Sequence, residues 1–206
     1  MAEIELFDQI RLDALKEISS IAIGNAATSL SAMLGKKVNI TVPNIMVEAL
    51  GKVPQLLGRR ENIVTVVYLS VSGQVSGSIL LVLSSSESLR LVNVLTGKTV
   101  TQIESLDEMG LSALKEVGNI ITGSYLRVLA NELKMDITHS IPGLACDMFG
   151  AVLDEILARL SFETEEVIIM ESEFIVRKEL YRSHLIFILA PKTANAIIKA
   201  LGGWEK

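Results

Sequence analysis

An internal duplication is the feature that most constrains the fold of this chain. When the segment beginning at Leu15 is laid over the segment beginning at Leu114, the two run without a gap for about thirty residues. The second copy begins near Ser105, which makes the repeats approximately residues 8–97 and 105–203. The matched positions include Gly24 with Gly123, Leu34 with Leu133, Pro43 with Pro142 and Leu95 with Leu201. Such a duplication predicts two structurally equivalent halves.

Each half begins with a long helical pattern. Apolar residues recur at helical spacing over residues 8–34, and residues 106–133 are the equivalent segment in the second half. We expect the first helix to stop at Gly35. The second should begin at a capping box formed by Ser105 and Glu108. The two long helices should occupy equivalent positions in the fold.

Extended segments and hairpins follow each long helix. The extended segments, residues 38–42 and 137–141, each end at a proline, which cannot continue a central strand ladder. The other predicted elements are hairpins over residues 63–83 and 166–189 and helices over residues 86–96, 144–160 and 191–201. In the first half, the counterpart of the 144–160 helix is residues 46–58, which Pro54 interrupts.

These elements predict an α+β fold with pseudo-twofold symmetry. We expect a largely antiparallel sheet that buries one face beneath helices, including the two long equivalent ones. Neither half is expected to bury its apolar surface alone. We therefore predict a single domain over residues 1–206.

Composition limits the classes of partner and compartment. Hydrophobic residues make up 50% of the 206 residues and charged residues 21%, which suits a packed core and argues against disorder. The net charge of −5 disfavours nucleic acid, whose phosphates attract basic surfaces. No apolar run approaches the roughly 18 residues that a membrane span needs, and the acidic N-terminus is unlike a signal peptide. We expect a cytoplasmic protein without membrane insertion.

Metal-ligand patterns are absent from the sequence. Cys146 is the single cysteine, so neither a disulfide within the chain nor a cysteine cluster is possible. His139 and His184 stand alone on predicted strands and are interpreted as structural. We expect no metal site and no cofactor of the protein's own.

The most informative polar residues lie on the second long helix. Glu116 and Asn119 are three residues apart and share a face, and Ser112 lies one turn earlier. Taken alone, this spacing is more often a solvated helix stripe. Gly118 and Gly123 lie beside it, and each lowers helix propensity by up to about 1 kcal/mol relative to alanine. They either allow close helix packing or leave room beside Asn119 for a partner's backbone.

The two long helices resemble the active-site motifs of the CheC, CheX and FliY phosphatases of chemotaxis. The pattern of that family is Asp or Ser, three residues, Glu, two residues, Asn, and a Gly four residues on. The resemblance covers nearly the whole chain, and two motif copies without an added targeting domain are most similar to CheC. The residues that carry it are Asp13, Leu15, Lys16, Glu17, Gly24 and Asn25 in the first copy and Ser112, Glu116, Asn119 and Gly123 in the second.

This resemblance implies a phosphatase that hydrolyses the aspartyl phosphate of the response regulator CheY. Asn119 would orient the attacking water, because an amide can accept a hydrogen bond from water and donate one toward a phosphoryl oxygen. Glu116 would grip a lysine of the regulator, while Mg²⁺ is expected on CheY itself. Ser112 and Asp13 are the matching partner-binding positions of the two copies.

The first copy departs from the family pattern. Glu17 is present, but Ser20 stands where the asparagine is expected. A hydroxyl can bond to water, yet its side chain is shorter than that of an amide and cannot contact both groups in the same geometry. We expect a weak or inactive second site, in which Glu17 is either a docking residue or a solvated surface carboxylate.

Asp147 is similar to an aspartate that helps CheC proteins bind the deamidase CheD. The alternative is that Asp147 favours the first turn of the 144–160 helix through the helix dipole. The resemblance therefore implies phosphorylated CheY and CheD as partners of a monomer or weak dimer. Two other functions stay open: a binding module that sequesters CheY-phosphate or CheD with little hydrolysis, and a FliY-like component of the flagellar switch.

Overall fold

The same order of elements occurs in both halves of the chain. The computed structural model describes residues 9–160, 166–176 and 178–202. The first half contains α1 (Gln9–Leu34), β1 (Val38–Ala49), α2 (Val53–Leu56), β2 (Ile63–Gly73), β3 (Gly77–Ser84) and α3 (Ser85–Thr96). The second contains α4 (Glu108–Leu133), β4 (Ile137–His139), β5 (Gly143–Met148), α5 (Phe149–Ala158), β6 (Glu166–Val176), β7 (Glu179–Leu189) and α6 (Pro191–Gly202).

One curled sheet joins the two halves. Its strand order is β1-β6-β7-β3-β2, and β4 and β5 both pair with β2 at the far edge. Each pair of strands that the structure describes is antiparallel. Each strand has a counterpart in the other half, and β4 and β5 together are the counterpart of β1. If every strand is replaced by its counterpart, the same strand order results when it is read from the other edge of the sheet. This confirms the α+β class and the pseudo-twofold arrangement. The repeat boundaries 8–97 and 105–203 and the single-domain division stay predictions.

Both faces of the sheet are covered, whereas the sequence led us to expect one buried face. The first face packs beneath the two long helices, with Val67, Leu81 and Phe187 in the same core as residues of α1 and α4. The second face carries Val66 and Ile186 and packs against α2 and α5. Strand β3 is buried on both sides for this reason. No helix among the described residues is long and apolar enough to cross a membrane.

The helix expected over residues 144–160 begins later than predicted. Residues 143–148 form strand β5, which pairs with β2 from Tyr68 opposite Gly143 to Ile63 opposite Met148. Pairing with β2 supplies backbone hydrogen bonds that the local apolar pattern could not indicate. The predicted start of the helix at residue 144 was therefore wrong. Gly143 also lies against the ring of Tyr68, where an added Cβ would come within 2.2 Å.

Pro43 and Pro54 in the first half do not have the roles in secondary structure that the sequence predicted. Strand β1 continues past Pro43 to Ala49, with a register irregularity between Thr41 and Asn44 that accommodates the missing donor. Pro54 lies in the first turn of the short helix α2, where a proline needs no backbone donor. The helix that we predicted over residues 46–58 is therefore wrong in extent, since residues 46–49 belong to β1 and α2 comprises only Val53–Leu56.

The ends of the long helices are only partly as predicted. Gly35 adopts a left-handed φ of 59° and ends α1, as expected. At the start of α4, Asp107 and not Ser105 is the cap, since its Oδ1 accepts a hydrogen bond of 2.9 Å from Gly110 N. A hydrogen bond from Lys98 lowers the pKa of Asp107. The predicted capping box is therefore wrong, because residues 103–105 form a separate 3₁₀ turn.

Helix α4 lies close to both the sheet and α1. An added Cβ on Gly118 would come within 2.5 Å of Val67 Cβ on β2, so this glycine allows close packing of the helix on the sheet. The buried Tyr125 hydroxyl lies 3.1 Å from Ser19 Oγ of α1, and burial raises the pKa of this tyrosine. These contacts position α4, and its opposite face is left toward solvent.

Candidate functional site

The polar residues predicted on α4 lie on its outward face. Ser112 and Glu116 are exposed and Asn119 is half-buried, whereas Leu114 and Val117 are in the core. Because residues three and four apart share one helix face, Glu116 and Asn119 project from the same stripe. Neither side chain is enclosed in the interior. Both side chains can thus be reached from outside the protein, and their assignment to a catalytic site stays a prediction.

The polar groups of Glu116 and Asn119 are not engaged by any other residue that the structure describes. In the described ranges, no side-chain hydrogen bond or ion pair involves the Glu116 carboxylate or the Asn119 amide. The carboxylate can accept hydrogen bonds and pair with a cation, and the amide offers both a donor and an acceptor. The two side chains are therefore available to water or to a binding partner.

Gly123 leaves open space one turn beyond Asn119. An added Cβ on Gly123 would have His139 Nε2 as its nearest neighbour, at 3.8 Å, which is an ordinary contact distance. Gly118 on the same helix would instead meet Val67. The two glycines thus differ in their surroundings: Gly118 packs closely against the sheet, whereas Gly123, which is also buried, has room for a Cβ beside His139.

The equivalent stripe on α1 presents different chemistry. Asp13 is exposed and pairs with Lys16 at 3.6 Å, and Glu17 is half-buried. Ser20 is exposed, but its Oγ donates a hydrogen bond of 2.9 Å to Lys16 O. The hydroxyl proton is therefore used by the helix's own backbone, unlike the amide of Asn119. The assignment of Glu17 and Ser20 to a degenerate site stays a prediction.

Asp147 lies apart from the α4 stripe. It belongs to β5 and pairs with Val64, whose side chain is in the core of the second sheet face. Directly paired residues share a face, so the exposed Asp147 is on the opposite side of the sheet from α4. Its Oδ1 accepts a hydrogen bond of 2.7 Å from Met148 N. Because α5 begins at Phe149, placing Asp147 in the first helical turn was wrong.

Burial also shifts the pKa values of two other titratable side chains, Cys146 and His184. Burial raises the pKa of the Cys146 thiol, a shift that its hydrogen bond with Thr65 opposes, and so disfavours the thiolate. Burial lowers the pKa of His184, while Glu171 acts in the other direction. His184 lines a surface cavity of about 600 Å³ that contains none of the predicted site residues. Within the described residues, no group of three or more His, Cys, Asp or Glu could hold a metal ion.

Comparison with known proteins finds a family model and a curated relative that match this chain. A family model described as the CheC-like family matches residues 10–47 and 109–144, which contain both stripes. The CheY-P phosphatase CheC of Bacillus subtilis (strain 168) is 28% identical over 93% of this chain and 94% of its own length. The chain is therefore similar to the CheC-like family in both segments.

Solved structures of other proteins share the fold of this chain. FliY of Thermotoga maritima matches with a TM-score of 0.76 and 24% identity, over 97% of this chain and 99% of that one. CheX of Borrelia burgdorferi, solved in a complex with CheY, BeF₃ and Mg²⁺, matches with a TM-score of 0.50 and 20% identity over 82% of this chain and 96% of the matched one. The predicted family resemblance is thus confirmed.

Two residues near the α4 stripe were missed by sequence reasoning. His139, interpreted as structural, is exposed on β4 and lies beside Gly123. Ile141 is 87% exposed. Ile141 occupies the position that Val42 has in the first copy, and Val42 is partly buried against the core. The duplication therefore predicts burial for Ile141, and no signal in the sequence indicates its exposure.

Proposed function

We propose that this CheC-like protein hydrolyses the aspartyl phosphate of CheY by inserting the α4 stripe into the regulator's phosphorylated pocket. The observation that carries the proposal is a carboxylate and an amide, one turn apart and unengaged within the described residues, on an outward helix face. The Bacillus subtilis relative is named as a CheY-P phosphatase, and the Borrelia burgdorferi CheX was solved with CheY. Both names support the same substrate.

Asn119 orients the attacking water in this mechanism. Water attacks phosphorus, the bond from phosphorus to the aspartyl oxygen breaks, and inorganic phosphate and the free aspartate of CheY are the products. An amide can accept a hydrogen bond from that water and donate one to a phosphoryl oxygen without adding negative charge beside an anion. Phosphoryl transfer depends mainly on positioning and charge stabilisation, so a fixed amide is sufficient.

Glu116 holds the regulator in register. A carboxylate one turn from Asn119 can form a charge-assisted hydrogen bond with a lysine of the partner. Ser112, one turn earlier, extends the contact along the helix. The protein contributes no metal of its own in this scheme, and the Mg²⁺ belongs to the phosphorylated regulator.

The experiment that tests the proposal is dephosphorylation of CheY with and without the protein. We expect release of phosphate to accelerate in proportion to protein concentration. Equal rates with and without the protein, together with measurable binding of phosphorylated CheY, would favour the alternative of a sequestering module. The Ser20 hydroxyl, already bonded to Lys16 O, supports that alternative for the first copy only.

We also propose that Asp147 contributes to a binding surface for CheD. It is exposed on the sheet face away from α4, so CheD and CheY would use different surfaces. Replacing Asp147 by lysine should raise the Kd for CheD at least about tenfold, because charge reversal in an interface is strongly unfavourable. Isothermal titration measures this, with Asp136→Lys, another exposed aspartate, as the matched control. Unchanged affinity of Asp147→Lys would remove Asp147 from the interface.

A further inference from the structure

The two halves differ most in the segment that follows each long helix. In the first half, β1 runs from Val38 to Ala49, with only a register irregularity between Thr41 and Asn44. In the second half, β4 ends at His139 and β5 starts at Gly143. The three residues 139–141, here called the docking loop, are the counterparts of residues 40–42 in the duplication. A continuous edge strand in one copy is thus a projecting loop in the other.

Burial differs accordingly between the equivalent residues. Ile40 and Val42 are partly buried and pack against the main core. Their counterparts are the exposed His139 and Ile141, the latter with 87% of its surface accessible. A single exposed apolar side chain is ordinary in proteins, so its location decides whether it has a role. At this position of the duplication, the exposed apolar side chain is in the copy that retains Asn119.

The first residue of the docking loop, His139, lies next to α4. His139 pairs with Val71, which is in the core beneath α4, so its side chain is on the α4 side of the sheet. Its Nε2 lies 3.8 Å from the position of a Cβ on Gly123. Helical side chains lean toward the N-terminus, so the space above Gly123 is the space beside the turn of Asn119. The imidazole therefore lies next to α4, one turn beyond Asn119.

Hydrogen bonds hold the loop in its projecting form. Ser140 N donates to Ser70 O at 2.9 Å, and Ser70 N donates to Ser140 Oγ at 3.1 Å. Ser140 Oγ in turn donates to Ile141 O at 2.9 Å. His139 Nδ1 lies 3.0 Å from Ser140 O, to which it donates. A loop ordered before binding loses less entropy when a partner docks.

We propose that the docking loop contacts phosphorylated CheY bound on α4 and directs it to the second copy. Ile141 is the apolar anchor. His139 accepts a hydrogen bond at Nε2 from an N–H group of the partner, since Nδ1 already donates to Ser140 O. The inference rests on the proposed function, because it assigns a second contact to the same partner. Both residues are positioning residues, so their effect is on binding.

The experiment measures the affinity for CheY loaded with Mg²⁺ and beryllofluoride, and separately KM and kcat for hydrolysis. Ile141→Ser should raise Kd and KM about tenfold, since burial of an isoleucine side chain on binding is lost, and should leave kcat within about twofold. His139→Ala should raise KM about fivefold, and His139→Gln should restore part of it because its amide oxygen can accept the same hydrogen bond.

The matched control is Ile175→Ser. Ile175 is 41% exposed on β6, where its neighbours Phe174 and Val176 face the α4 core, so it faces the other side of the sheet. Hydrolysis with equal Kd values for wild type, Ile141→Ser and Ile175→Ser would overturn the docking loop and leave the phosphatase standing. Binding that depends on Ile141 without any hydrolysis would support the loop and overturn the phosphatase. Neither binding nor hydrolysis by the wild type would overturn both.

Discussion

Replacing Asn119 by alanine should lower kcat for CheY dephosphorylation by about 10²–10³, the usual cost of removing one preorganised hydrogen-bonding group. The expected loss is in kcat, because the amide positions water in the transition state while Glu116 and the helix surface still bind the regulator. Asn119 is half-buried, is not engaged by another side chain in the described ranges, and alanine favours a helix. The variant should therefore fold normally, and single-turnover measurement of phosphate release checks the prediction.

The first copy supplies the matched controls for this prediction. Ser20 occupies the equivalent position on α1, and Ser20→Ala should change the rate by less than about twofold because its hydroxyl already bonds to Lys16 O. Ser20→Asn should raise turnover by restoring an amide on an exposed helix face. Full activity in Asn119→Ala would refute the assigned role, and a Ser20→Ala variant as impaired as Asn119→Ala would move the chemistry to α1.

Replacing Gly118 by alanine should destabilise the protein by about 2 kcal/mol, although alanine is the better helix former. The new Cβ would lie 2.5 Å from Val67 Cβ and 2.6 Å from its Cγ1. Valine is branched at Cβ and lies on a central strand, so it cannot turn out of the way and α4 must move from the sheet. Urea unfolding of the variant measures the change in free energy of unfolding.

Gly24 is the control for the effect of helix propensity alone. It is exposed on α1, and an added Cβ there would meet nothing within 4 Å. Gly24→Ala should therefore stabilise the protein by up to about 1 kcal/mol. Opposite signs for the two glycines are the expected result. A stabilising Gly118→Ala would show that α4 does not pack on Val67 as closely as described.

The periodic spacing of apolar residues was sufficient to predict the long helices and the hairpins. Apolar residues at helical spacing located α1 and α4 within one or two residues, and the duplication indicated that they are equivalent. Residues three apart on a helix must share a face, so the stripe with Glu116 and Asn119 followed from spacing. The spacing did not indicate which of the two roles belongs to Gly118 and which to Gly123. Each role depends on a contact with another element.

Residues 139–148 depended on tertiary structure for their conformation. Their apolar pattern suits a helix as well as a strand, and only pairing with β2 makes residues 143–148 the strand β5. The same pairing places Asp147 on the sheet face away from α4. Ile141 and Val42 have equivalent positions in the duplication, yet one is exposed and the other is packed against the core. Sequence alone determined the periodicity of each element, because periodicity is a local property. The tertiary structure decided pairing and exposure, because these depend on residues distant along the chain.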